Sequence, residues 1–213
     1  GTDTGSVTED VDPDTDTLLE TGGTLTIIDP DAGQSSFVAA TIPGTYGDLT
    51  IDALGNWTYA ADNTQPIIQQ LGEGAIVTDT LAVTTADGTQ HDVTITLTGA
   101  NDAPTVEIAL SDQTATEAEA FSFTFAADSF ADIDTSDTLT YSATLATGEP
   151  LPDWLTFDEA GRTFSGTPAD ADVAVLSVEV TAQDLHGASA SDIFTLTVND
   201  ISNPPVIGGT DTG

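Results

Sequence analysis

Apolar and polar residues alternate along many short stretches of this chain, which is the pattern of strands that place one face on a core. The strands predicted for the first half are Thr24–Ile28, Phe37–Thr41, Leu49–Asp52, Trp57–Ala60, Ile76–Thr84 and a stretch through Val93, Ile95 and Leu97. Those predicted for the second half are Phe121–Phe125, Leu139–Leu145, Leu155–Phe157, Thr163–Ser165, Leu176–Ala182 and a stretch through Phe194, Leu196 and Val198.

Turn signals separate these stretches, as at Leu54-Gly55-Asn56 and Ala86-Asp87-Gly88. Only Gln65–Leu71 resembles a helical turn, with Pro66 suited to its first turn. Short alternating strands at this spacing are typical of antiparallel β-sandwiches. The sequence therefore predicts an all-β fold of two tandem sandwiches of the Ig-like or cadherin-like type.

The domain boundary is predicted at the segment Gly99–Pro104, where one alternating stretch ends and a new apolar pattern begins. A similar strand exit, Asn199-Asp200 followed by Pro204, closes the second half, and Pro stops a strand ladder. The sequence GTDTG occurs at Gly1–Gly5 and again at Gly209–Gly213, which indicates a tandem repeat. We therefore expect domains at residues 1–103 and 104–208, with residues 209–213 starting the next repeat.

The charge of the chain excludes several classes of partner. It has 213 residues, 36 of them Asp or Glu and one Lys or Arg, for a formal net charge of −35. Nucleic acids and anionic membrane surfaces are bound through Lys and Arg, so neither is expected as a partner. Ion pairs within the protein cannot neutralise these acids. The hydrophobic fraction of 38% is nevertheless enough to build a core, so we expect a fold that takes cations from solvent.

Cys and Met are both absent. Without Cys, neither a disulfide nor a thiolate metal site can form. No apolar run is long enough to span a membrane, and no signal peptide is recognisable. We expect an internal segment of a longer protein, with any export signal or anchor outside it.

The acids recur in the same order in both halves. The first half has Asp29-Pro30-Asp31, then Asp87 before a Gly, then Asn101-Asp102. The second half has Asp132-Ile133-Asp134, then Asp184 before a Gly turn, then Asn199-Asp200. A Glu lies near the start of each half, at Glu9 and Glu117.

Converging carboxylates need a cation, because two of them about 4 Å apart repel by about 1–4 kcal/mol near a protein surface. Ca²⁺ takes 6–8 oxygen ligands in flexible geometry, whereas Mg²⁺ requires strict octahedral geometry and Zn²⁺ prefers His or Cys. The alternative is that acids only cap turns and keep the protein soluble. We expect this of many of them, such as Asp48, Asp62 and Asp79, and we favour calcium for the ordered motifs.

The first half resembles a VCBS repeat through about Gly1–Pro104. The motifs that carry this resemblance are Val7-Thr8-Glu9-Asp10, Gly22-Gly23-Thr24-Leu25, Gly55-Asn56-Trp57-Thr58-Tyr59 and Gly99-Ala100-Asn101-Asp102. The second half resembles a dystroglycan-type cadherin-like, or Ig, domain through Leu151–Phe157 and Phe164–Pro168. Together the halves are similar to extender modules of repeats-in-toxin bacterial adhesins.

This resemblance implies calcium ions at the junctions between domains. At the middle junction it implies Glu9, Asn101, Asp102, Asp132, Asp134 and Asp184 as ligands. At the downstream junction it implies Glu117, Asn199 and Asp200, and at the upstream junction Asp29, Asp31 and Asp87. Neighbouring repeats of the same chain would supply the remaining ligands. The chain lacks the further acidic and Asn positions of full cadherin linkers, so one to three ions are possible at each junction.

A catalytic function is not indicated, because His91 and His186 lie in or beside turns without a nucleophile arrangement. Trp57, Tyr59 and Trp154 could in principle stack on sugars, but we expect them in the cores. The favoured function is that of a calcium-stiffened, monomeric, extracellular extender on a bacterial cell surface. The alternative is a calcium-dependent carbohydrate- or protein-binding adhesion module, which would require an exposed aromatic side chain beside the ion.

Overall fold

The computed structural model describes residues 1–11, 16–29 and 35–201. The chain forms two compact units. Unit 1 comprises Gly1–Asp102 together with the loop Asp132–Asp137, and unit 2 comprises Ala103–Ala131 and Thr138–Gly213. The described part of the chain contains no helix with the length and apolar character needed to cross a membrane.

Unit 1 is a two-sheet sandwich. Its elements are β1 (Thr4–Thr8), β2 (Leu18–Thr24), β3 (Ala40–Pro43), β4 (Asp48–Ile51), β5 (Asn56–Asp62), α1 (Pro66–Gln69), β6 (Ile76–Thr84) and β7 (Gln90–Thr98). One sheet has the order β1-β7-β6 and the other the order β2-β5-β4-β3. All pairs are antiparallel except β1 with β7, the first and last strands, which run parallel from Thr4↔Thr94 to Thr8↔Thr98.

The core of unit 1 lies between these two sheets. Val93, Ile95 and Leu97 alternate along β7 and are fully buried, as are Trp57 and Tyr59 on β5. The outward positions of the same strands are mainly polar, with Thr the most frequent residue. Fully burying an aliphatic side chain contributes about 1.5–3 kcal/mol, so this alternation both selects the strand register and stabilises the sandwich.

Unit 2 is a second sandwich. Its strands are β8 (Thr105–Val106), β9 (Gln113–Thr116), β10 (Phe121–Thr124), β11 (Phe130–Ala131), β12 (Thr140–Leu145), β13 (Leu155–Asp158), β14 (Thr163–Gly166), β15 (Val175–Gln183) and β16 (Ser189–Asn199). The larger sheet has the order β12-β15-β16-β9, the smaller β10-β14-β13, and β8 pairs with β11. Here too the first strand of the larger sheet, β9, runs parallel to the last, β16.

Aromatic rings fill much of the second core. Phe164 packs against Phe157, Phe194 and Phe123, with ring centroids 4.6, 5.4 and 6.3 Å away. Val178 and Val180 on β15 complete the buried face. The predicted all-β fold of two sandwiches is therefore confirmed.

The predicted strand boundaries agree best with the structure where the partner strand is long. Ile76–Thr84 is β6 as predicted, and α1 lies within the predicted helical turn. The predicted strand Thr24–Ile28 is wrong by most of its length, because β2 ends at Thr24. Its partner β5 begins at Asn56, directly after the turn at Gly55, whose φ is 87°, so the ladder has no residue left to pair with. The strands β1 and β9 were not among the predicted strands, since each has one buried apolar side chain, Val7 in β1 and Ala115 in β9.

One carboxylate in unit 1 differs from the sequence-based expectation. Asp79, predicted to be a surface turn cap, is only 2% exposed. It still caps a turn, because its carboxylate accepts hydrogen bonds from the backbone N–H groups of Thr45, Tyr46 and Gly47 at 2.7, 3.0 and 3.2 Å. The hydroxyl of Tyr59 donates a fourth hydrogen bond at 2.7 Å. Burial raises the pKa of Asp79, but these four donors outweigh it and hold the pKa below its usual range.

We expect Asp79→Asn to destabilise unit 1 by about 2 kcal/mol at pH 7, because an amide cannot accept all four charge-assisted hydrogen bonds. A lowered folded-state pKa means that the contribution is present above the unfolded value of 3.8 and is lost as the pH falls below it. Urea unfolding between pH 3 and pH 7, with the exposed Asp48→Asn as the control, measures both effects. An equal loss in the two variants would contradict the prediction.

Candidate metal centre

The parallel pairing of β1 with β7 brings the predicted ligands of unit 1 to one edge of its sandwich. Glu9 directly follows β1, and its N–H donates to the carbonyl of Thr98 at the end of β7, 2.9 Å away. Asn101 and Asp102 follow β7 within four residues. Parallel strands that end together place these side chains at the same end of the unit.

Glu9 is buried, with 1% of its surface exposed. Its two carboxylate oxygens accept hydrogen bonds from the N–H of Ala100 at 3.1 Å and from the side-chain amide of Gln69 at 3.2 Å. Burial raises the pKa of Glu9 from 4.5 to about 7, the hydrogen bond from Ala100 partly opposes the shift, and the charges of Asp102, Asp10 and Asp134 add to it. Burial and the neighbouring acids thus both disfavour the ionised form of Glu9.

The loop Asp132–Asp137 packs on this end of unit 1. Thr135 donates from its N–H and from its hydroxyl to the carbonyl of Gln70, at 3.4 and 3.2 Å. Asp134, which is 2% exposed, accepts the N–H of Asp102 at 2.9 Å, and its own N–H donates to Asp132 at 3.0 Å. Two of the predicted Asp-x-Asp ligands therefore lie with Glu9 and Asp102 in a single unit.

Four side-chain oxygens of this cluster are shielded from solvent: Asn101 Oδ1, Asp102 Oδ2, Asp132 Oδ2 and Asp134 Oδ1. Among the described residues, Asp102 Oδ2 has no hydrogen-bond partner. Burial raises the pKa of Asp102, and the charges of Asp10, Asp134 and Asp132 raise it further. A buried carboxylate oxygen without a donor costs several kcal/mol unless a cation neutralises it.

The donor set of this cluster consists of carboxylate and amide oxygens. Such ligands suit a hard cation with many oxygen neighbours, and Ca²⁺ fits better than Zn²⁺ because no His or Cys belongs to the cluster. The only Arg of the chain, Arg162, lies in unit 2, and no Lys is present. Five predicted ligands thus belong to one end of unit 1: Glu9, Asn101, Asp102, Asp132 and Asp134.

The sixth predicted ligand of the middle junction, Asp184, belongs to unit 2. It is 5% exposed, and one of its oxygens accepts the N–H groups of His186, Gly187 and Ala188 at 2.8, 2.6 and 2.9 Å. These bonds hold the turn after β15, where Gly187 has a φ of 94°. Asp184 is therefore a turn cap whatever else it binds.

A second acidic cluster lies in unit 2. The predicted ligands Glu117 and Asp200 are joined there by Asp170, and their carboxylate oxygens come within 4.8 Å of one another. Glu117 is buried and the other two are exposed. Asn199, also a predicted ligand, presents its carbonyl to the N–H of Glu117 at 3.0 Å. Asp170 sits in a 3-10 turn before β15, and the sequence shows no motif that would have singled it out.

The backbone hydrogen bonds fix how the two clusters correspond. Glu9 bonds to the carbonyl of Thr98 as Glu117 does to that of Asn199, and Ala100 donates to Glu9 as Ile201 does to Glu117. Asn199-Asp200 therefore corresponds to Thr98-Gly99 and lies three residues earlier than Asn101-Asp102. The two Asn-Asp pairs are not equivalent, although the sequence pattern suggested that they are.

Gly99 cannot carry the acid found at the matching position in unit 2. A Cβ there would collide with the backbone carbonyl oxygens of Leu71 and Gly72. Asp200 has no such restriction, since it is exposed. Unit 1 therefore obtains its carboxylates from later in the linker and from the Asp132–Asp137 loop.

The predicted upstream ligands are only partly described. Asp29 and Asp87 line one small cavity of about 160 Å³ in unit 1, and Asp31 lies outside the described residues. Asp87 accepts hydrogen bonds from the hydroxyl of Thr85 and, at 3.0 Å, from the N–H of Thr89. The bond from Thr85 is the main cause that lowers the pKa of Asp87. Asp87 thus caps its own turn.

The aromatic side chains pack in the cores, as expected. Trp57 is 2% exposed and donates from its ring N–H to the carbonyl of Thr2 at 2.8 Å. Trp154 is half-buried and packs edge-on against Phe121, with ring centroids 6.4 Å apart. His91 is exposed and contacts Asp3 at 3.1 Å. Neither Trp offers the exposed platform that the sugar-binding alternative required.

Two protein-family models match successive parts of the chain. Residues 1–99 match the model of the bacterial cadherin-like domain. Residues 103–199 match the model of the "Putative Ig domain" family. No curated protein sequence matches the chain. Domains of these families are generally extracellular and non-enzymatic and serve in adhesion or as structural repeats.

Solved structures show the same fold at low sequence identity. Human mucin-like protocadherin EC1-2 is 15% identical with a TM-score of 0.52, over 94% of this chain and 97% of that one. Mouse cadherin-23 EC22-24 is 14% identical with a TM-score of 0.56, over 94% and 63%. Protocadherin gamma B7 domains 1–4 are 13% identical with a TM-score of 0.55, over 93% and 49%. An endo-fucoidan hydrolase is 18% identical with a TM-score of only 0.40, over 95% of this chain and 28% of that one.

In the presence of a chelator, we expect Glu9→Gln to stabilise the protein in a pH-dependent way. Because the folded-state pKa of about 7 lies above the unfolded value of 4.5, ionised Glu9 costs stability progressively as the pH rises between these values. The variant should match the natural protein near pH 4 and exceed it by on the order of 3 kcal/mol above pH 7. Urea unfolding across this range, with exposed Glu20→Gln as the control, measures the difference, and parallel curves for all three proteins would contradict it.

Proposed function

We propose that this chain is a calcium-stiffened extender repeat of a large secreted bacterial adhesin, of the kind that VCBS and repeats-in-toxin proteins represent. The observation that carries the proposal is the buried oxygen cluster of unit 1, in which Asp102 Oδ2 has no partner among the described residues. The family matches support an extracellular structural or adhesion module. The ligand chemistry supports calcium.

The stiffening follows from the way the chain is connected. The backbone passes between the units at Asp102-Ala103 and again on both sides of the Asp132–Asp137 loop. An ion held by Glu9, Asp102 and Asp134 fixes that loop to unit 1. Three fixed passages between two units permit much less motion than one flexible tether does. Without the ion, mutual repulsion of the carboxylates favours release of the loop.

Secretion moves the protein to a compartment where calcium is available. Extracellular calcium modules bind with Kd of about 10⁻⁴–10⁻³ M, so the sites stay empty in a calcium-poor cytoplasm and fill outside the cell. In a tandem array, the cluster of Glu117, Asp170 and Asp200 would bind the next ion together with residues of the following repeat. The many remaining acids keep neighbouring copies apart, so the segment acts as a monomeric spacer that projects other domains from the cell surface.

Calcium should therefore raise the melting temperature. It should also narrow the distribution of particle sizes seen by small-angle X-ray scattering. At about 100 times Kd the expected stabilisation is about 2.7 kcal/mol for one site. Differential scanning calorimetry and small-angle X-ray scattering in calcium, in chelator and in an equal concentration of magnesium measure both effects. Identical melting and scattering in calcium and in chelator would refute calcium stiffening.

Removing one ligand should abolish the calcium effect without unfolding either sandwich. We expect Asp102→Ala or Asp134→Ala to lose most of the calcium-induced rise in melting temperature and to keep the broad scattering profile in calcium. The strand content, followed by circular dichroism, should stay unchanged because both residues lie outside the cores. Asp48→Ala is the matched control, since Asp48 is an exposed acid of unit 1. A full calcium response in the Asp102 and Asp134 variants would remove the proposed site.

A further inference from the structure

The side-chain amide of Gln69 bridges two carboxylates in unit 1. Its Nε2 lies 3.2 Å from Glu9 Oε1 and 3.3 Å from Asp10 Oδ1. Gln69 ends α1, and its neighbour Ile68 is fully buried in the core, which holds the short helix in place. The anchored helix α1 therefore holds the Gln69 amide beside the acidic cluster.

Asp10 is also fixed in position. Its φ of 58° turns the chain sharply after β1, and its N–H and carboxylate exchange hydrogen bonds with the side chain of Asn63 at 3.3 and 2.8 Å. Asp10 Oδ1 thus accepts two amide N–H groups, from Asn63 and Gln69. Its charge adds to the charges of Glu9 and Asp102 and raises the pKa of both.

Unit 2 has different residues at the positions that correspond to Asp10 and Gln69. Ala118 follows Glu117 with a φ of 59°, so it corresponds to Asp10 but carries no charge. The turn before β15, which corresponds to α1, supplies the carboxylate of Asp170 to the cluster instead of an amide. Unit 1 therefore combines an extra acid with an amide donor, whereas unit 2 brings three carboxylates together.

We infer that Gln69 sets the calcium affinity of the unit 1 site and holds its carboxylates in place when no ion is bound. The inference rests on the proposed calcium function. In the ion-free protein its amide holds Glu9 and Asp10 in place and does part of the work of a cation. In the calcium-bound protein, position 69 offers an amide where a Glu would offer a carboxylate. The affinity for the ion is therefore lower than it would be with Glu at this position.

The neighbouring pair Gln69 and Gln70 provides a matched experiment, because Gln70 is exposed. Gln69→Glu places a third carboxylate about 3 Å from two others, so it should bind calcium about tenfold more tightly and melt lower in chelator. Gln70→Glu makes the same change in net charge and should alter neither property beyond a small general effect. Isothermal titration calorimetry with CaCl₂ and melting in chelator, on the full chain, provide the two readouts. Equal calcium affinity in the two Glu variants would overturn the inference.

A second comparison, made in chelator, tests the role of Gln69 independently of calcium binding. Gln69→Met removes the bridging amide without adding charge, so it should lower the melting temperature in chelator more than Gln70→Met does. If the natural protein binds no calcium, the proposed function fails, yet this comparison still tests the bridge. Equal melting of the two Met variants would show that the amide does not hold the carboxylates, and would overturn the inference by itself.

Discussion

Repulsion among buried carboxylates is the constraint on which the functional end of unit 1 depends. Glu9, Asp102 and Asp134 converge where β1 and β7 end together, and the unit contains no Lys or Arg to neutralise them. The parallel pairing of the first and last strands creates this convergence. The fold therefore generates an electrostatic cost that a bound cation can remove.

Two buried acids of unit 1, Asp79 and Glu9, have pKa values shifted in opposite directions. Asp79 is surrounded by three backbone N–H donors and the hydroxyl of Tyr59, so its pKa stays low and its charge stabilises the fold. Burial raises the pKa of Glu9 and of Asp102, and the acids that surround them raise it further. The difference lies in the supply of donors rather than in burial, since both Asp79 and Glu9 are almost fully enclosed. The donors around Asp79 explain its structural role, and the lack of comparable donors around Asp102 is what supports the proposed cation.

Much of the fold could be predicted from the sequence, because alternation has a fixed relation to a two-layer sandwich. The alternation of Ile76–Thr84 and of the β7 residues was sufficient to place both strands. Thr24–Ile28 failed because a strand also needs a partner of matching length, which alternation within one segment cannot reveal. For the same reason the parallel pairing of β1 and β9 with the final strands could not be read from the chain.

For the site, the sequence by itself determined the kind of chemistry. An excess of acids with no Cys and almost no Lys or Arg leaves oxygen atoms as the available ligands, and the motifs and the family resemblance pointed to the residues Glu9, Asp102 and Asp134. Only the tertiary structure decided which oxygens are buried together and that the two Asn-Asp pairs differ in register. It also added Gln69 and Asp170, which lie in short helical turns far along the chain from Glu9 and Glu117. Residue type is a local property that a sequence states directly, whereas convergence and burial depend on contacts between segments far apart in the chain.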